Sequence, residues 1–231
     1  MLLAAGLGTR MRPLTDKTPK PLIVAGGKTL LDHNIDQLIS AKVSRVIINV
    51  HYLAHQIEAH CRARCDIEIV ISDERSGLLD SGGGVRQALR YLGTSPFFSL
   101  NADTIWVNGP QPNLLRMAEV YDPGLMDILL LLAPTVTTIG WGNRGDFLMD
   151  QDGRLTRPGK DRNAPFVYCG AAILPPAMFA DRPDVFSLNR LFDEAQARGR
   201  LFGLRLDGLF MHVGTPQALA EAEAAFRLHG L

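Results

Sequence analysis

The sequence has few cysteines, no long apolar run and no excess of charge of either sign. Its three cysteines are an odd number and too few for a disulfide framework, which predicts reduced thiols in a cytoplasmic protein. Because 24 basic residues balance 24 acidic ones, we expect no nucleic-acid partner and no anionic-membrane surface. No apolar run approaches the roughly 18 residues that a transmembrane helix needs, and no signal peptide is visible.

The first part of the chain alternates between apolar runs and segments with helical spacing. At 231 residues, 46% hydrophobic and 21% charged, the composition is ordinary for a globular protein of one domain. The pattern predicts strands at 45–50, 67–71, 97–100 and 127–133, and helices at 29–42, 53–64, 85–92 and 113–121. This order predicts an α/β fold with a doubly wound, mainly parallel, Rossmann-like sheet.

After about residue 134 the pattern is less regular. It predicts a hairpin around Asp152-Gly153, strands at 166–174, 201–206 and 209–213, and helices at 188–197 and from 216 onward. No linker or internal repeat is visible. We therefore predict one domain over residues 1–231, with the second part adding a small lobe to the same sheet.

The most informative segment is residues 2–22, where an apolar start runs into a loop with two glycines and several cations. Gly6 and Gly8 let backbone N–H groups approach a polyphosphate, and Arg10 and Lys20 neutralise its charge. Prolines on both sides of Lys20 predict a stiff, extended segment outside the core. The loop matches neither the phosphate loop of nucleotide hydrolases nor the dinucleotide fingerprint, which argues against a dinucleotide-dependent oxidoreductase.

The complete string resembles the signature of sugar-1-phosphate nucleotidylyltransferases, L-A-A-G-x-G-T-R-(M)-R-P-L-T…P-K-P-L, at every fixed position. Within that family it is most similar to the short N-acetylmuramate-1-phosphate uridylyltransferases, over nearly the whole chain. Relatives usually carry more apolar residues before the Ala-Ala-Gly, so either the first strand is short or the natural start lies upstream of Met1.

The resemblance implies a glycosyltransferase-A-like fold with a nucleotide-binding part over about 1–133 and a sugar-binding part over about 134–231. It implies transfer of a nucleotidyl group from a nucleoside triphosphate to a sugar 1-phosphate, with Mg²⁺ as cofactor, in a monomer or weak homodimer. UTP with N-acetylmuramate 1-phosphate, in peptidoglycan recycling, is the first choice. A GTP-dependent mannose or heptose enzyme and a non-catalytic nucleotide-sugar sensor are the alternatives.

The resemblance also assigns roles to residues. Arg10, Lys20 and Asp103 would be catalytic, with Asp103 binding the metal because the family's metal-binding Asp follows a strand in the sequence Asn-(Gly/Ala)-Asp. Nucleotide-binding residues would be Ala5, Gly6, Gly8, Thr9, Ser81, Gly82, Gly83 and Asn101. Without the resemblance, Gly82–Gly84 could equally be a tight strand-to-helix turn.

The sugar-binding residues would be Asp146 and Gly170. Asp146 belongs to an Arg-Gly-Asp-Phe string that matches the muramate-type relatives, except that Asn143 replaces a glycine. The main departure is His212, where the family carries an Asp as its second metal ligand. His212 is therefore predicted either as a weak metal ligand or as a hydrogen-bonding residue.

Overall fold

The computed structural model describes residues 1–142, 144–159 and 163–230. In this part of the chain the strands are β1 (Leu2–Leu3), β2 (Val24–Ala25), β3 (Lys28–Thr29), β4 (Arg45–Val50), β5 (Glu68–Asp73), β6 (Phe97–Asn101), β7 (Thr104–Asn108), β8 (Ile128–Pro134), β9 (Leu148–Met149), β10 (Leu155–Thr156), β11 (Phe166–Leu174), β12 (Leu201–Arg205) and β13 (Gly208–His212). The α-helices are α1 (Leu30–Ser40), α2 (Ala54–Arg62), α3 (Asp80–Leu92), α4 (Asn113–Val120), α5 (Leu188–Ala197) and α6 (Pro216–His229). None of these helices combines the length and the apolar character needed to cross a bilayer.

Seven strands form the central sheet, in the order β12-β8-β11-β6-β1-β4-β5. All are parallel to one another except β11, which runs antiparallel between β6 and β8. Because β11 and β12 come from the second part of the chain, both parts contribute to one sheet, and the doubly wound, mainly parallel fold is confirmed.

Two hydrophobic cores cover the two faces of this sheet. Alternate residues of β8 belong to different cores, Leu129 and Leu131 to one and Leu130 and Leu132 to the other. Helices α1, α2 and α4 pack on the first face, and α3 and α5 on the second. A strand that is buried on both faces reads as a continuous apolar run, which is why β4 and β8 were predictable.

A smaller layer extends the molecule beside the carboxyl end of β6. Strands β7 and β13 pair antiparallel, with His212 opposite Thr104, and α6 packs against them in a third core. The sequence pattern predicted β13 but not β7. This pair brings residues about 100 positions apart in sequence to one edge of the sheet.

Candidate active site

A cavity of about 600 Å³ opens at the carboxyl ends of β1, β4, β5 and β6. This is the edge at which open parallel sheets bind ligands, because the loops that leave neighbouring strands meet there. The predicted residues that line it are Ala5, Gly6, Gly8, Thr9, Arg10, Lys20, Ser81, Asn101 and Asp103. We call this the first cavity.

A second cavity of about 250 Å³ lies next to the first and shares Arg10, Asn101 and Asp103 with it. Its remaining wall comes from β7, β13, the ends of the hairpin β9–β10, β11, α5 and the loop before the hairpin, and includes Asp146. The catalytic residues predicted from the sequence therefore stand where the two cavities meet.

Lys20 and Asp103 form an ion pair at this junction, with Lys20 Nζ donating to Asp103 Oδ2 at 2.7 Å. Burial opposes ionisation of Asp103, but the Lys20 ammonium, with smaller contributions from His212 and Arg10, holds the pKa of this carboxyl below its usual value. Asp103 is therefore an anion at neutral pH. The pair fixes the ammonium beside the position where the cavities meet.

The surroundings of Lys20 differ from the sequence prediction. Lys20 is only 8% exposed and begins a short 3₁₀ turn over Lys20–Leu22, so the expected extended segment outside the core is wrong. Gly8, at φ +64°, makes this burial possible, because a Cβ there would lie 3.1 Å from Lys20 Cβ and 3.0 Å from Thr15 Cγ2. The glycine lets the chain fold back over its own loop.

His212 lies on β13 and lines the second cavity together with Asp103. Its ring packs edge-on against Trp141 at 4.9 Å between centroids. Burial lowers the pKa of His212, and nearby Lys20 and Arg10 reinforce this against the opposing effect of Asp103. The imidazole is therefore neutral at pH 7 and offers one ring nitrogen as an acceptor.

The donors at the junction fit a magnesium ion that takes most of its ligands from substrate and water. Among the described residues, no group of three or more His, Cys, Asp or Glu side chains could hold a metal. Magnesium is commonly bound by one or two carboxylates together with substrate phosphates. The Asp103 carboxylate satisfies that requirement, since Lys20 bonds to its Oδ2 and no bond to its Oδ1 is seen in the part of the chain that the structure describes.

Gly82 and Gly83 line neither the first nor the second cavity, so the structure does not bring them together with the other predicted nucleotide-binding residues. Helix α3 already begins at Asp80, and both glycines are buried in its first turn, where their N–H groups donate to Phe186 O at 2.8 and 3.1 Å. A Cβ on Gly83 would lie 2.0 Å from Asp184 O. Because the two glycines have no side chains, the 184–186 segment packs directly against the first turn of α3. Val185 of that segment lines the first cavity.

Gly170 is also buried away from the cavities. At φ +78° it forms an irregularity in β11, and a Cβ there would lie 2.8 Å from Thr104 Oγ1 and 3.0 Å from Asn101 Cβ. The predicted close approach to this backbone exists, and the side chains of Thr104 and Asn101 make it. Asp146 does line the second cavity, with Oδ2 accepting from Tyr168 N at 2.8 Å. Asn143 lies outside the described residues.

Two buried polar residues of the first cavity were not predicted. Asn49, at the end of β4, accepts from Ala4 N and donates to Glu74 Oε1, both at 2.7 Å. Glu74 follows β5, and burial raises the pKa of its carboxyl. A polar residue at the carboxyl end of an apolar strand was the available signal for Asn49. These hydrogen bonds connect the carboxyl ends of β1, β4 and β5 beneath the first cavity.

The second cavity also contains residues that sequence reasoning missed, namely Trp141, Arg157, Tyr168, Asn189 and Phe192. Phe192 packs edge-on against Tyr168 at 5.5 Å. No local motif marks these residues, because they come from four separate segments.

Comparison with known proteins supports the resemblance. Residues 1–135 match the family model described as nucleotidyl transferase. The chain is 45% identical over 229 residues to the N-acetylmuramate alpha-1-phosphate uridylyltransferase of Caulobacter vibrioides, covering 97% of this chain and 95% of that protein. It is 31% identical to the protein of the same name from Neisseria meningitidis, covering 97% and 96%.

Solved structures show the same fold. HddC from Yersinia pseudotuberculosis, complexed with GMP-PN, superposes with a TM-score of 0.78 at 22% identity, covering 97% of each chain. A UDP-glucose pyrophosphorylase complexed with UDP-glucose superposes with a TM-score of 0.77 at 18% identity, covering 99% of this chain and 97% of the other. With the signature loop and its cations gathered at the sheet edge, these matches show that the chain belongs to the nucleotidyl transferase family, as a sugar-1-phosphate nucleotidylyltransferase.

Proposed function

We propose that this enzyme transfers the uridylyl group of UTP to N-acetylmuramate 1-phosphate, forming the nucleotide sugar and releasing pyrophosphate. The observation that carries the proposal is the pair of adjoining cavities that meet at Arg10 and Asp103, with Lys20 bonded to Asp103. The larger would hold the triphosphate and the smaller the sugar. The choice of uridine and muramate follows the names of the two relatives that match over nearly their whole length.

In this reaction a phosphate oxygen of the sugar 1-phosphate attacks the α-phosphorus, and the bond to the pyrophosphate oxygen breaks. The attacking oxygen is already anionic, so no general base is needed. Catalysis must instead bring two anions together and stabilise the charge that builds up on the phosphoryl and leaving groups. Lys20 would lie between the two phosphates, while Arg10 and the loop amides of Gly8 and Thr9 would bind the leaving pyrophosphate.

Mg²⁺, when bound, would neutralise phosphate charge at the reaction centre. Asp103 would hold it, and His212 would lie beside it. The remaining ligands would be phosphate oxygens and water, as magnesium prefers. The ion pair with Lys20 keeps the Asp103 carboxylate ionised and oriented before the substrates arrive.

The test is a matrix of the four nucleoside triphosphates against several sugar 1-phosphates with Mg²⁺, measured as pyrophosphate release. We expect the highest kcat/KM for UTP with N-acetylmuramate 1-phosphate. A preference for GTP with mannose or heptose 1-phosphate would contradict the assigned substrates but not the reaction. Binding without pyrophosphate release in any combination would indicate a sensor. The control is Asp103→Asn, which should remove most of the Mg²⁺-dependent activity.

A further inference from the structure

Arg157 is held at the edge of the second cavity by three contacts. Its Nε donates to Asp193 Oδ1 at 2.6 Å and its Nη2 to Asn189 Oδ1 at 2.8 Å. The guanidinium also lies over the Phe147 ring, 4.9 Å from the centroid. Such a fixed guanidinium loses little conformational freedom when it binds a further group.

These contacts leave most of the guanidinium's donors unused. An arginine side chain carries five N–H groups, and in the part of the chain that the structure describes, side-chain oxygens accept from one on Nε and one on Nη2. Both N–H groups of Nη1 and the second of Nη2 remain. Two N–H groups on neighbouring nitrogens match the spacing of a carboxylate, which binds arginine in a bidentate manner.

The second cavity has cationic groups on two different walls. Arg10 lies at the junction with the first cavity, beside the Lys20–Asp103 pair, and would face the phosphate of a sugar 1-phosphate. Arg157 lies on the wall formed by the hairpin and α5, which carries none of the residues that would contact the phosphates. A sugar with only a phosphate would use the first cation and leave the second without a ligand.

Asp146, the acidic residue on the same wall, faces the cavity with Oδ2 bonded to Tyr168 N. Its carboxylate can accept from a sugar hydroxyl or an amide N–H, but it repels a second carboxylate. A ligand that carries both an acetamido or hydroxyl donor and a carboxylate would therefore be oriented in one direction by Asp146 and Arg157.

We infer that Arg157 selects sugar 1-phosphates that carry a carboxylate, by binding that carboxylate with Nη1 and Nη2. This inference rests on the proposed function and identifies what distinguishes the preferred sugar within it. In N-acetylmuramate 1-phosphate the carboxylate belongs to the lactyl ether, which N-acetylglucosamine 1-phosphate lacks.

The experiment compares the two sugar phosphates as substrates of the wild type and of Arg157→Met, with UTP saturating. We expect Arg157→Met to lower the ratio of the two kcat/KM values, muramate over glucosamine, by about 10- to 100-fold, the usual range for a lost charge-assisted pair. Most of the change should be in KM. Arg157→Lys, which keeps the charge but loses the fork, should give an intermediate ratio.

The matched control is Arg154→Met on the same hairpin. Arg154 is also stacked on a phenylalanine, Phe202, at 5.3 Å, but it is exposed and lines neither cavity. Arg154→Met should leave the ratio of the two kcat/KM values unchanged. Melting temperatures of all variants separate folding defects from recognition, and if Arg157→Met fails to fold, Arg157→Lys still tests the ratio.

Two substrate analogues complete the test. The amide of N-acetylmuramate 1-phosphate should be a poorer substrate than the acid for the wild type but not for Arg157→Met. Glucuronate 1-phosphate, a uronic acid, shows whether a carboxylate at another ring position is accepted. An unchanged ratio in both Arg157 variants would overturn the inference. Absence of transfer to any sugar phosphate by the wild type would instead contradict the proposed function.

Discussion

Lys20 is both a buried residue and the partner of Asp103 in the ion pair at the junction of the two cavities. We expect Lys20→Ala to lower kcat by about 10²- to 10³-fold, the usual cost of removing one group that stabilises developing charge. It should also destabilise the protein by about 1–3 kcal/mol, because the Asp103 carboxylate loses its partner. Pyrophosphate release and denaturant unfolding measure the two effects.

Lys17→Ala is the matched control, since Lys17 is an exposed lysine of the same loop. Adding Asp103→Asn to Lys20→Ala should recover part of the lost stability but none of the activity, because the asparagine no longer needs a cation. Near-normal turnover of Lys20→Ala would remove this lysine from the mechanism.

The resemblance places His212 where a second metal-binding Asp is expected, and substitution should show whether this residue contacts a metal. Magnesium prefers oxygen ligands to imidazole. We therefore expect His212→Asp to retain activity and to reach half-maximal rate at a lower Mg²⁺ concentration than the wild type. His212→Ala should require a higher Mg²⁺ concentration than the wild type to reach half-maximal rate. A magnesium titration that is identical for both variants and the wild type would mean that His212 only packs against Trp141.

At the scale of elements, the first turn of α3 is positioned by its contact with the 184–186 segment. We expect Gly83→Ala to destabilise the protein by about 1–3 kcal/mol, because the new Cβ would overlap Asp184 O. The displaced segment carries Val185, so the KM for the triphosphate should rise more than the KM for the sugar phosphate.

Gly77→Ala is the control for this prediction. Gly77 lies in the loop before α3, and a Cβ there would meet nothing within 4 Å. It should leave both KM values and the free energy of unfolding nearly unchanged. If Gly83→Ala raised only the KM for the sugar phosphate, the assignment of the first cavity to the nucleotide would be wrong.

At the scale of the whole molecule, the sheet order ties the two parts of the chain together. Strand β11 lies between β6 and β8, so a fragment of residues 1–134 would lack the strand that joins them. We predict that this fragment shows no cooperative thermal unfolding, whereas the full chain unfolds in a single transition. Calorimetry tests this. A fragment with its own cooperative transition would show two independently stable domains.

Acid should destabilise the folded chain through carboxylates held by cations. Burial opposes ionisation of Asp127, but its hydrogen bonds from Arg200 and Arg198 outweigh this and hold its pKa below the ordinary 3.8. The folded state then binds fewer protons than the unfolded state. The contribution is fully present above pH 3.8 and is lost as the pH falls through the folded pKa.

We therefore expect Asp127→Asn to lower the free energy of unfolding by about 1 kcal/mol at pH 6 and to show a smaller fall between pH 4 and 2.5. Asp152→Asn, which changes an exposed carboxylate of the hairpin, is the control. Equal acid slopes for Asp127→Asn and the wild type would contradict the assignment. Urea unfolding at several pH values provides the measurement.

Much of the fold was predictable because it depends on local patterns. Strands β4 and β11 and helix α5 have the predicted bounds, since an apolar run or a helical face is written in consecutive residues. Strand β7 was missed, although its centre is apolar and strands of the same length were predicted elsewhere. Helix α3 was predicted to begin after its glycines, since their low helix propensity is outweighed only by their packing against the 184–186 segment.

The sequence by itself determined the family, and it predicted the phosphate-binding loop and the catalytic roles of Lys20 and Asp103, because these are carried by short motifs of specific residue types. Only the tertiary structure decided that Lys20 is buried against Asp103, that Gly83 and Gly170 serve packing, and that Arg157 lines the second cavity. The physical reason is that these contacts join segments tens of residues apart. Their positions follow from the order of strands in the sheet, which no local spacing of residues encodes.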